Sequence, residues 1–149
     1  MAHQQSQPQL QPRLLALDPG EARIGVAVSD DLGLYAHPRP AIRTRSVAEA
    51  VRAVVRLVQQ EVVAEVIVGL PLTLAGARGH QAEATRPLVE ALRAALTVPV
   101  REIDERLSSA QAASASPGLG GKRDGSLDSA SAAGVLQGVL GRWRREAAR

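Results

Sequence analysis

Two short apolar runs near the start of the chain constrain its fold most. RLLALD (13–18) ends in an acid followed by Pro-Gly, the pattern of a buried strand entering a turn. RIGVAVSD (23–30) follows after only four residues, with Ile24, Val26 and Val28 on one face and Gly25, Ala27 and Ser29 on the other. Two strands this close can pair as a hairpin. Residues 34–43 read as a third strand, demoted to a sheet edge by Pro38 and Pro40, which lack the amide a central strand needs.

Beyond that point the periodicity changes. Ser46 and Glu49 have capping-box spacing, and Val47, Val51, Val54 and Val58 recur as a helical stripe. EVIVGL (65–70) reads as a buried strand. Residues 80–96 read as a helix with Leu88, Leu92 and Leu96 spaced by four, and VPVREID (98–104) as a further strand. A short helix is expected through 107–115, and a Gly-rich loop over 116–126. A last helix runs from Ser126 or Leu127 towards Arg145, with Ala132, Leu136, Val139 and Trp143 on one face. Later strands that each follow a helix suit parallel crossover units. The expectation is an α/β protein: a mixed five-stranded sheet with helices on both faces. The 149 residues suit one domain, 13–149, preceded by a disordered tail over 1–12 that holds five Gln and two Pro.

Composition narrows the chemistry. There is no cysteine, which excludes thiol nucleophiles, zinc–thiolate sites and disulfide scaffolds, and which fits a reducing cytoplasm. There is no Phe, one Trp and one Tyr, so the core must be aliphatic and no aromatic platform for stacking bases can form. The net charge is +3, and Lys122 is the only lysine among the 18 basic residues. Arginine forks onto phosphate oxygens, so the balance permits a nucleic-acid partner. No apolar run is long enough for a membrane span, and the polar N-terminus is not a signal peptide.

Three acidic positions stand apart from the solvated helix acids. Asp18 ends the first strand, Asp104-Glu105 ends the last, and Asp128 opens the last helix. Ligands of open sheets bind outside the carboxyl ends of parallel strands. Asp128 lies four residues before Ala132 and eight before Leu136, which puts it on the core-facing side of its helix. Carboxylates gathered there repel one another unless a cation neutralises them. Without Cys or a His cluster, the cation suited to hard oxygen ligands is Mg²⁺ or Mn²⁺. Taken singly, each acid also has a plain structural role: Asp18 in a turn, Asp128 at a helix start, Glu105 paired with Arg106. Lys122 and Arg123, in the Gly-rich loop, could grip a phosphate backbone beside Asp128.

The segments LDPGEARIGVAVSD (17–30), VGLPLTLAGARGHQAE (68–83), IDERLSSAQA (103–112) and SLDSASAAGVLQ (126–137) occur in an order that resembles the YqgF/RuvX family. That family comprises pre-16S rRNA nucleases and Holliday-junction-resolvase-like proteins. The resemblance covers about residues 13–142. It implies a ribonuclease-H-like three-layer fold and divalent-metal nuclease chemistry. Matched to the family's motifs, Asp18 is the first-strand acid, Glu105 the acid of Asp-Glu-Arg, and Asp128 the acid opening the last helix. Asp104 ranks below Glu105, because adjacent strand residues point to opposite faces. The sequence departs from the family at Ala75-Gly76, where Asp-Gly is usual, and at Ser108-Ser109, where Thr-Thr is common.

The resulting expectation is a two-metal endonuclease. A metal-bound water attacks in line, Asp18 bridges the ions, and Glu105 and Asp128 complete their shells. The partner is an rRNA precursor or, alternatively, branched DNA, cut by a monomer or homodimer. A non-catalytic nucleic-acid-binding factor is the rival of another class. An actin-like ATPase would need a second lobe for which the chain has no room.

Overall fold

The N-terminal hairpin forms as expected. In a computed structural model that describes residues 9–70, 80–104 and 129–148, with 80–84 by backbone alone, β1 (Arg13–Pro19) pairs antiparallel with β2 (Arg23–Ser29). The turn between them closes through the Gly20 amide, which donates to the Arg23 carbonyl at 2.8 Å. A Cβ on Gly20 would lie 2.9 Å from that same carbonyl oxygen, so the turn requires glycine there. β3 (Ala36–Arg43) pairs antiparallel with the other side of β2 and forms the sheet edge, where its two prolines are tolerated. It starts two residues later than the pattern suggested. The Asp30 carboxylate accepts from the amide of Leu34 at 2.8 Å and keeps that stretch in a turn.

Helix α1 (Val47–Gln60) is capped by Ser46, whose hydroxyl accepts from the Glu49 amide at 3.2 Å. The Glu49 carboxylate in turn accepts from the Arg45 amide at 3.2 Å, one residue before the cap. Three of the four expected stripe residues of this helix pack in the core, and Ala50 joins them. Ala50 and Val54 are buried, Val51 and Val58 pack beside them, and Val47 is 41% exposed because it sits where the chain enters from the sheet end. β4 (Val63–Leu70), α2 (His80–Ala95) and β5 (Val100–Asp104) follow, with β4 parallel to both β1 and β5. The final helix, α3, spans Ala130–Ala147. Strand order is β3-β2-β1-β4-β5. This is the mixed five-stranded sheet anticipated above. The short helix expected over 107–115 and the loop over 116–126 lie outside the described residues.

Alternation along the strands divides the core in two. Leu15, Leu17, Val26, Val28, Val66 and Val68 face α1 and α2, meeting Ala50, Val54, Leu88 and Leu92. Leu14, Ala16, Ala27 and Ile67 face α3, meeting Ala132, Val135, Leu136, Val139 and Leu140. Both halves are aliphatic, as the lack of Phe demanded. Trp143 shares the expected face of α3 but is 36% exposed. It lies beyond the edge of the packed layer, with the Arg101 guanidinium 5.3 Å from its ring centroid.

Candidate active site

Because β1, β4 and β5 run in the same direction, their last residues emerge at one end of the sheet. Asp18 of β1 and Asp104 of β5 are both there, separated by β4, whose Leu70 is the register partner of Asp104. Two interstrand spacings put these strands about 10 Å apart. The pleat separates the two acids further. Asp18 continues the series Leu14, Ala16 and lies on the α3 face. Asp104 shares a face with Leu70 and Val68, on the α1/α2 side, whereas Ile103 packs against the α3 layer. The parallel-strand argument therefore holds for Asp18, and the lower rank given to Asp104 agrees with its orientation.

Asp18 is half-buried and has no hydrogen-bond or ion-pair partner among the described residues. A carboxylate taken partly out of water without a donor is uncompensated. Its hard oxygens suit a divalent cation. Among the described residues no three His, Asp or Glu side chains gather into a metal-binding group. Glu105, Asp128, Lys122 and Arg123 lie outside the described residues.

The structure does describe how the start of α3 is held. α3 begins at Ala130 with Ser129 at its cap, later than the start expected at Ser126 or Leu127. The cause is a long-range contact. β2 and β3 slip register between Ile24 and Val26, where Pro40 and Ala41 together oppose Gly25. At the next pair, Val26 and Arg39, the ladder is bridged by a side chain. The Ser129 hydroxyl accepts from the Val26 amide at 2.9 Å and donates to the Arg39 carbonyl at 2.6 Å. Ser129 is fully buried, and its side chain caps no helical amide because it is committed to the sheet. Two turns on, Gln137 accepts from the Ala36 amide at 3.0 Å and donates to the Leu34 carbonyl at 2.9 Å.

This stitching determines what lies near Asp18. Asp18 is the register partner of Gly25, and Gly25 is the residue immediately before the Val26 amide that holds Ser129. The start of α3 is thereby fixed one strand over from Asp18, on the same face of the sheet. Sequence reasoning missed Ser129. The available signal was a serine directly after Asp128 and before a run of small residues.

Comparison with known proteins agrees with this architecture. The family model described as RuvX: Holliday junction resolvase matches residues 12–142. A protein of Chloroflexus aurantiacus with the provisional name pre-16S rRNA nuclease is 42% identical over 130 residues, covering 85% of each chain. A Halothermothrix orenii protein of the same name is 37% identical over 131 residues, covering 86% of this chain and 94% of its own. Among solved structures, Thermus thermophilus RuvC in complex with a Holliday junction substrate superposes with a TM-score of 0.66 at 14% identity. That match covers 91% of this chain and 97% of the RuvC chain, and it shows that the ribonuclease-H-like fold is shared.

Proposed function

The chain belongs to the RuvX family of nucleases, and from that premise we propose that it hydrolyses phosphodiester bonds in structured nucleic acid, maturing the 5′ end of pre-16S rRNA. The observation that carries this reading is Asp18, an unpartnered, half-buried carboxylate where the parallel strands end, with the start of α3 pinned beside it.

Asp18, Glu105 and Asp128 are the residues we assign to hold Mg²⁺ or Mn²⁺. Support for Glu105 comes from β5: Ile103 faces the α3 layer, and strand alternation carried two residues further would give position 105 the same orientation. Support for Asp128 comes from its neighbour Ser129, which is tied to the strand opposite Asp18. Bound divalent ions would supply a nucleophilic water at neutral pH and neutralise charge on the leaving oxygen. Asp18 would contribute acceptor oxygens to a bound ion. Lys122 and Arg123 would hold backbone phosphates. A monomer or homodimer in the cytoplasm completes the reading, and no described helix is long and apolar enough to cross a membrane.

The family model's description favours a second substrate, the four-way DNA junction. One experiment addresses both. Wild type and Asp18→Asn are incubated with Mg²⁺ or Mn²⁺ and either a 5′-extended 16S rRNA precursor or a synthetic four-way junction. Metal-dependent cleavage of the precursor by wild type, lost in Asp18→Asn while binding survives, is the expected result. Cleavage of the junction alone transfers the assignment to the second substrate. Equal activity in Asp18→Asn refutes the metal-holding role.

A further inference from the structure

The end of the sheet that carries Asp18 also gathers positive charge. Arg23 and Arg43 are direct cross-strand partners at the open end of β2 and β3. Like charges placed opposite one another in an antiparallel pair destabilise it. Both residues line a surface cleft of about 560 Å³ together with Ala22, Thr44, Arg45 and Glu49. Arg43 and Arg45 make no ion pair among the described residues. The only carboxylate lining the cleft among the described residues, that of Glu49, already accepts from the Arg45 backbone amide. The cleft also lies at the N-terminus of α1, where the helix dipole adds positive potential.

From this arrangement we propose that Arg23, Arg43 and Arg45 form a phosphate-backbone subsite for the nucleic-acid substrate, rooted in the β2–β3 edge. The proposal rests on the nuclease reading and extends it to residues outside the acidic site. Arg23 lies two residues along β2 from Gly25, the partner of Asp18, a separation of roughly 7 Å at strand rise. By alternation it is on Asp18's face. A strand whose scissile phosphate sits at Asp18 therefore passes the arginines on its way off the sheet. Guanidinium groups take phosphate oxygens in bidentate pairs. Among the described residues no aromatic side chain lines the cleft, which suits it to contact backbone and not to stack bases. Recognition there is independent of base sequence.

The test is equilibrium binding in EDTA, so that no cleavage occurs, of a 5′-tailed RNA hairpin and a four-way DNA junction across a salt series. Wild type is compared with the double variant Arg23→Gln/Arg43→Gln, with Arg43→Gln alone and with Arg43→Lys. Each lost phosphate contact should lower the slope of log K against log salt by about 0.9 on duplex DNA or about 0.7 on single strands. The double variant is expected to lose about ten-fold or more in affinity and 1–2 units of slope. Arg43→Lys should keep the wild-type slope, and melting temperatures should not fall. Slope loss on one substrate only also supports the subsite and identifies its ligand as RNA or DNA. An unchanged slope in the double variant overturns the proposal, even when wild type cleaves with metal and the nuclease reading stands. Absence of binding by wild type overturns it as well. Slope loss in a protein that cleaves neither substrate keeps the subsite and removes the nuclease reading.

Discussion

The two ends of the sheet handle charge in opposite ways. Where β1 begins, charges are matched. Arg13 pairs with Asp31 and, at 3.0 Å, with Glu61, which also takes Arg39 at 2.9 Å. The Arg39 hydrogen bond, against the opposing effect of burial and aided by Arg13, holds the Glu61 carboxyl below its ordinary range. Where β1 ends, the side chains of Asp18, Arg43 and Arg45 make no ion pair among the described residues, and Arg23 faces another arginine across the ladder. Stability alone would favour pairing at both ends. An end where Asp18, Arg43 and Arg45 make no ion pair among the described residues is suited to bind something that carries the opposite charges, and sites are where such local rules are broken. The difference supports the proposed site at the second end and a structural role for the first.

Changes at the two ends should accordingly separate activity from stability. The largest effect is expected from Asp18→Asn. Outer-sphere partners of metal ligands typically cost 10–100-fold in metal affinity or activity, so a ligand itself should cost more than about 100-fold in turnover. Thermal melting should leave the stability of this variant unchanged or slightly raised, because no partner is lost. A large drop in melting temperature would mean that Asp18 belongs to the structural class after all.

Ser129→Ala tests the link between the two. It strands the Val26 amide and the Arg39 carbonyl in a buried ladder. An unsatisfied buried group costs about 1–3 kcal/mol, so denaturant unfolding should show a loss of about 2–4 kcal/mol. Metal-dependent cleavage should fall more steeply than the folded fraction, because the start of α3 loses its position beside Gly25. Parallel falls in the two would leave Ser129 a purely structural residue.

At the matched end, Glu61→Gln should leave cleavage untouched and cost about 0.5–1 kcal/mol. The ion pairs are partly exposed, and Glu61 stands at the C-terminus of α1, where the dipole disfavours its charge. The smallest effect is in pH. The Glu61 pKa is depressed in the folded state, so its contribution is complete above the ordinary glutamate value and is lost as pH falls through the folded value. Urea midpoints of wild type and Glu61→Gln should therefore converge as pH drops below about 4. A gap that persists in acid would show that the pairing is not what Glu61 contributes.

Much of this could be read before any coordinates. The hairpin, the edge strand with Pro38 and Pro40, the Ser46–Glu49 cap and the two crossover units are local patterns, each set by residues a few positions apart. The strand order places Asp18 where the parallel strands end, and the sequence pattern had put it there too. Less legible were the element boundaries that a distant group controls. The start of α3 was placed too early because nothing nearby shows that Ser129 is occupied elsewhere. Nor does periodicity show that Ala50 is buried in α1 while Val47 is exposed, since the angle at which the helix meets the sheet is decided by its neighbours.

Periodicity, turn chemistry and the aliphatic composition by themselves determined a mixed α/β sheet and an acid at the tip of its first strand, because those depend on contacts within one or two turns of chain. Only the tertiary structure decided that a serine 103 residues away from Val26 completes the β2–β3 ladder, and that Arg23 meets Arg43. Both follow from strand register, a collective outcome of packing that no local stretch of sequence specifies.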